Sequence, residues 1–236
     1  MEIENQLGSN ELNYIQSLKN VLSENCNTDN AMHMKKYMKN KFEYYGIKSP
    51  LRKELCKPFL KKENLPKIEK IEGIIKELWN EPQRELQYFA MELLSKYSKL
   101  LKQNDYYLFE YMLTNKSWWD TVDYIAAIIV GNHFNLYPEL KKSISEKWIN
   151  SNDMWLNRSA LLFQLKYKQN TDEKILFEYI LKHSSSTEFF HRKAIGWVLR
   201  EYSKTNPDVV LEFVKTNEQK LSGLSKREAL KIINRS

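Results

Sequence analysis

The stretch NKSWWDTVD, residues 115–123, places two adjacent tryptophans and two aspartates in a 236-residue chain whose formal net charge is +7. On a helix, Trp119 and Asp123 stand four residues apart and share a face, whereas Trp118 points about 100° away, toward the core. With Ser117 as N-cap, Asp120 falls at N3 and closes a capping box, so helix initiation accounts for one of the two carboxylates. Asp123 is left as a carboxylate beside an indole. Arg158 offers a counterpart, because its helix neighbours Met154, Leu161, Leu162 and Leu165 are apolar and place the guanidinium at a buried edge. Such a group needs an anion: either Asp123, giving a structural ion pair, or a phosphate, giving a binding site.

Two further aromatic residues sit among cations. In RKAIGWVLREYSK, residues 192–204, Ala194, Ile195, Val198, Leu199 and Tyr202 form the core stripe, and Trp197 lies off it. Its neighbours at i−4, i+3 and i+7 are Lys193, Arg200 and Lys204, and Gly196 beside it leaves room for an approaching group. Tyr37 stands one turn before Lys41, among Lys35, Lys36 and Lys39. Cations that neutralise phosphate, joined to rings that pack on sugar edges, suit a nucleic-acid backbone. A lysine-rich face alone is more often merely solvated. The sequence pI near 9.1 points the same way, toward polyanionic partners.

Other chemistries find less support. Cys26 and Cys56 have no metal-ligand or disulfide spacing, and His33, His133, His183 and His191 are far apart in sequence, so neither a metal nor another cofactor is expected. The longest apolar run, YIAAIIV at 124–130, is too short to span a bilayer, and no leader pattern precedes it. A soluble, cytoplasmic protein without membrane contact is expected.

The elements that must carry these residues are helices: only 6 Gly and 6 Pro occur among abundant Leu, Lys, Glu and Ile. Segments 85–97, 155–167 and 189–202 share an apolar start, a small residue in the middle and an aromatic end. Ala90, Tyr124, Ala160 and Ala194 recur at steps of 34, 36 and 34 residues, the period of stacked antiparallel helix pairs. Ser49 before Pro50, Asn80 to Pro82, Ser117, Asn206 before Pro207 and Ser225 before Glu228 mark helix starts. The expectation is one all-α domain over residues 1–236, about six such pairs, with residues 1–10 a flexible extension.

The runs YMKNKFEYYGI, KSWWDTVD, WLNRSALLFQLKYKQ, KAIGWVLREYSKTNPDVV and LSKREA resemble the AlkD family of bacterial DNA alkylation-repair glycosylases, from about Tyr37 to Ala229. The resemblance implies a superhelix of HEAT-like pairs with duplex DNA along its concave face. It implies hydrolysis of the N-glycosidic bond of N3- and N7-alkylated purines without base flipping, metal or lyase step, by a monomer associated with the nucleoid through its DNA. Asp123, Trp119 and Trp197 would then be catalytic, and Tyr37, Arg158, Arg200, Lys41 and Lys193 would hold DNA. The competing expectation is a helical-repeat scaffold that binds nucleic acid or protein and catalyses nothing. That alternative leaves Asp123 unexplained, since a carboxylate in a phosphate-binding groove weakens affinity.

Overall fold

The computed structural model describes residues 7–233 and is all-α, with an isolated bridge between Glu43 and Gln83 and no strand among the described residues. It divides into two compact units, up to Leu100 and from Leu101 onward.

The first unit contains α1 (Ser9–Glu24), α2 (Thr28–Tyr37), α3 (Ser49–Cys56), α4 (Ile68–Asn80) and α5 (Arg84–Lys96). Helix α4 buries Ile71, Ile74, Ile75, Leu78 and Trp79, the i, i+3, i+4, i+7 stripe of an amphipathic helix, and packs on α5 and α1. The segment linking α2 to α3 is held by the buried Glu85 carboxylate. Oε1 accepts the N–H groups of Gly46 at 2.9 Å and Ile47 at 3.2 Å, and Oε2 accepts that of Tyr45 at 3.1 Å. Burial pushes the Glu85 carboxyl above its ordinary range, and the hydrogen bonds pull it back. Gly46 has φ +84°, and a Cβ there would collide with the Asn27 carbonyl and lie 2.6 Å from the Ala31 nitrogen. Gly46→Ala is therefore expected to cost at least about 1–3 kcal/mol of stability. An unaltered urea midpoint would show that this backbone is free to relax.

The second unit contains α6 (Tyr106–Thr114), α7 (Trp119–Tyr124), α8 (Gly131–Leu136), α9 (Pro138–Ile149), α10 (Met154–Leu162), α11 (Glu173–Lys182), α12 (Phe189–Ser203), α13 (Pro207–Thr216) and α14 (Gly223–Ala229). A π-helical segment, Ile125–Val130, joins α7 to α8 without a break. Within this unit α10 packs on α7, α9 and α12, and α12 packs most extensively on α14. Ala160 and Ala194 are buried in α10 and α12, as Ala90 is in α5 of the first unit. Their lack of bulk lets neighbouring helices come close.

Three residues before each of these alanines stands a buried polar side chain. Gln87 Nε2 donates to the carbonyls of Trp79 and Glu81 at 3.2 and 2.7 Å, and Asn157 Nδ2 donates to those of Trp148 and Ser151 at 2.8 and 2.9 Å. Each donates to carbonyls at the C-terminal end of the preceding helix, where intrahelical N–H partners run out. His191 fills the corresponding place in α12, with Nδ1 2.9 Å from the Ser186 hydroxyl.

Several expected boundaries move. Ser117 does not cap α7: its hydroxyl donates back to the Leu113 carbonyl at 2.5 Å, and Trp118, in extended backbone, takes the N-cap place. Asp120 is thereby at N2, and no capping box forms. Lys48 rather than Ser49 precedes α3, Gln83 precedes α5, and Ser222 caps α14 by accepting the Ser225 N–H at 3.0 Å. Asn206 does precede α13, though without a side-chain cap bond. Of the expected N-terminal extension, residues 1–6 lie outside the described residues, while Ser9 and Asn10 already belong to α1. No helix among the described residues is long and apolar enough to cross a membrane.

Candidate functional site

The carboxylate that the sequence left unexplained meets the buried arginine. Asp123, on the last turn of α7, accepts Arg158 Nε at 2.7 Å through Oδ1 and Arg158 Nη2 at 2.8 Å through Oδ2. The third guanidinium nitrogen, Nη1, donates to the Phe190 carbonyl at 2.6 Å in the first turn of α12. A bidentate fork of this kind fixes distance and plane together. Of the two anions open to Arg158 on sequence grounds, Asp123 is the one its fork engages.

Burial is unequal across the pair. The Arg158 side chain is 5% exposed and that of Asp123 14%, so the carboxylate keeps an edge toward solvent while its partner does not. Burial pushes the Asp123 carboxyl above the usual aspartate range, the Arg158 guanidinium opposes that, and the Asp120 carboxylate adds a smaller upward push. Arg158 is thus the group that favours the charged form of this carboxylate against the cost of its burial.

Three rings pack next to this pair. Trp118, Trp155 and Phe190 have centroid separations of 5.6, 5.1 and 4.9 Å in edge and tilted arrangements, and the Arg158 guanidinium lies 5.8 Å from the Phe190 ring centre. Trp155 and Phe190 were not singled out in the sequence, where each resembles an ordinary core aromatic. Two signals mark them: Trp155 lies three residues before Arg158, and Phe190 belongs to a doublet whose first member, Phe189, is exposed. Trp119 is half-buried one turn before Asp123, on the same side of α7.

Trp197, half-buried on α12, has a different setting from the one expected. Gly196 does not leave a gap: a Cβ there would lie 2.5 Å from Glu228 Cβ and 3.0 Å from the Ser225 carbonyl, so α14 fills the space. Lys193 and Arg200 both turn to Glu228, Lys193 at 3.5 Å and Arg200 in a direct hydrogen bond. Lys204 pairs with Glu201 at 2.6 Å. In the first unit Tyr37, the last residue of α2, is 71% exposed, and Lys41 is exposed just beyond two residues of positive φ, Lys39 and Asn40.

Comparison with known proteins adds an independent line. A family model described as DNA alkylation repair enzyme matches residues 18–233. A solved structure described as a predicted DNA alkylation repair enzyme from Enterococcus faecalis is 33% identical, covers 89% of this chain and 98% of its own, and superposes with a TM-score of 0.82. No curated protein matches.

Proposed function

Because the chain belongs to the DNA alkylation repair enzyme family, we propose that it is a monofunctional DNA glycosylase resembling the AlkD group with its HEAT-like helix pairs. In this reading it hydrolyses the N-glycosidic bond of N3- and N7-alkylated purines in duplex DNA, leaving the base unflipped and an abasic site behind. It acts as a cytoplasmic monomer on the nucleoid. The observation that carries the reading is the Asp123 carboxylate, locked by Arg158 yet keeping an edge toward solvent beside Trp119.

The chemistry asks little of the protein. An alkylated purine is already cationic and departs neutral, so positive charge develops on the deoxyribose as the bond breaks. A carboxylate about 4 Å away, in an effective dielectric near 20, interacts with that charge by about 4 kcal/mol, or up to about three decades in rate. Arg158 opposes part of this field. Its contribution is to keep the carboxylate ionised and immobile before the reaction, so that little reorganisation is required in the transition state. Trp119 and Trp197 flank the sugar with apolar ring faces, and Asp123 orients the attacking water. Tyr37, Lys41, Lys193 and Arg200 contact the DNA backbone. For Arg158 the engaged fork supports positioning of Asp123 ahead of phosphate binding, which is left to its remaining N–H groups.

The test is incubation with a duplex carrying a single N7-methylguanine. Free methylated base and an alkali-labile abasic strand are expected, with no strand break before alkali treatment. Duplex binding without any released base would return the chain to the non-catalytic scaffold.

A further inference from the structure

Lys193 and Arg200 stand seven residues apart on one face of α12, with Trp197 between them. Two cations flanking an indole would grip phosphate best if they were unpaired. Instead both face one carboxylate, Glu228, whose side chain is 18% exposed against 37% for Lys193 and 25% for Arg200.

Glu228 is held there by the main chain of its helix. Gly196 lets α14 approach until Glu228 Cβ occupies the volume that a side chain at residue 196 would need. The Ser225 hydroxyl, three residues earlier, donates to the Arg192 carbonyl at 3.0 Å, and Ser222 caps the start of α14. The backbone and Cβ of Glu228 therefore cannot withdraw without undocking α14, so the carboxylate stays within one side chain's reach of the two cations. What can move are the longer side chains of the two cations.

We propose that Glu228 is a specificity-determining residue, a built-in counter-anion that holds Lys193 and Arg200 away from undamaged DNA. The inference rests on the glycosylase reading above, in which α12 faces the backbone. A duplex passing at a distance meets a Lys193–Glu228–Arg200 cluster of net charge +1, half the charge of the two cations alone, and gains less from it than from two unpaired cations. A nucleotide drawn against Trp197 brings its phosphate close enough to compete for the cations. Lys193, at 3.5 Å and more exposed, exchanges first. The protein thus binds undamaged duplex loosely and holds its last phosphate contacts for the engaged lesion.

The test compares undamaged-duplex affinity across a salt series for the wild type, Glu228→Gln and Lys193→Gln, with excision of N7-methylguanine measured alongside. Removing the one carboxylate raises the cluster's net charge from +1 to +2, which should steepen the salt dependence of Glu228→Gln by about 1 in log–log slope and tighten low-salt binding by about three- to tenfold. Lys193→Gln should slow excision, because this cation exchanges onto the phosphate of the engaged nucleotide, while losing less than a full unit of salt slope on undamaged duplex. A merely structural Glu228 would give lower thermal stability with equal or weaker binding, and that result overturns the proposal. So does a Lys193→Gln variant that loses a full unit of slope on undamaged duplex, which also decides the matter if Glu228→Gln fails to fold. A wild type that excises while Glu228→Gln binds no tighter sinks only the counter-anion. A wild type that releases no base while Glu228→Gln binds more tightly sinks only the glycosylase.

Discussion

Asp123→Asn is expected to lower single-turnover excision of N7-methylguanine by one to about three orders of magnitude, without weakening binding to undamaged duplex. The upper figure is the Coulomb interaction that a single carboxylate offers to a developing sugar cation. Loss of a charge that repels phosphate would hold undamaged binding constant or tighten it. The substitution is nearly isosteric but not silent for the fold. Both Asp123 oxygens accept N–H groups from Arg158, and an amide presents an NH2 to one of them, setting donor against donor in a buried place. Breaking a buried pair from one side costs about 3–5 kcal/mol, so a lower melting temperature should accompany the kinetic loss. The two effects separate when excision is followed at a temperature where circular dichroism shows the variant still folded. A folded variant that excises at the parental rate removes Asp123 from the chemistry.

What could be read from the sequence was what lies within one helix. Arg158 could be placed at a buried edge because four apolar neighbours surround it within a turn or two, and Trp119 and Asp123 could be set on one side of α7 by spacing alone. The recurrence of Ala90, Ala160 and Ala194 was visible because a small residue in an apolar stripe has few reasons to be there except close approach. The polar residue three positions before each alanine was equally regular but went unused, since Gln87, Asn157 and His191 share a position and no chemical type. Contacts between helices were harder. Glu228 reaches Arg200 across 28 residues that include all of α13, and Gly196 reads identically whether a ligand or α14 fills the space beside it. Helix starts failed where a hydroxyl had a competing local acceptor, as Ser117 has in the Leu113 carbonyl. The π segment had no signal, because Ile125–Val130 contains neither glycine nor proline and is apolar on all sides.

Arg158→Gln should be more damaging to stability than to the reaction, and the damage should depend on pH in a defined direction. Removing the guanidinium leaves Asp123 nearly as buried as before with no cation beside it, a loss of about 3–5 kcal/mol while the carboxylate stays charged. Protonation is the alternative open to it. Burial already holds the Asp123 carboxyl above its ordinary range with Arg158 present, and without Arg158 the shift must grow. An acid whose folded-state pKa exceeds its unfolded value favours the fold below the unfolded value and loses that advantage as pH rises through the folded one. The stability deficit of Arg158→Gln against the wild type should therefore widen with increasing pH. Excision needs the ionised form, so its rising limb should move to higher pH, and part of the rate lost near neutrality should return in alkali. Melting curves and single-turnover rates across the same pH series test both halves. Adding Asp123→Asn to Arg158→Gln removes the stranded charge as well as its partner, so the double variant should melt above Arg158→Gln at alkaline pH while excising no faster. A deficit that is flat with pH, together with a limb that stays in place, would mean that Arg158 serves packing and the Phe190 carbonyl, and that something else holds Asp123 ionised.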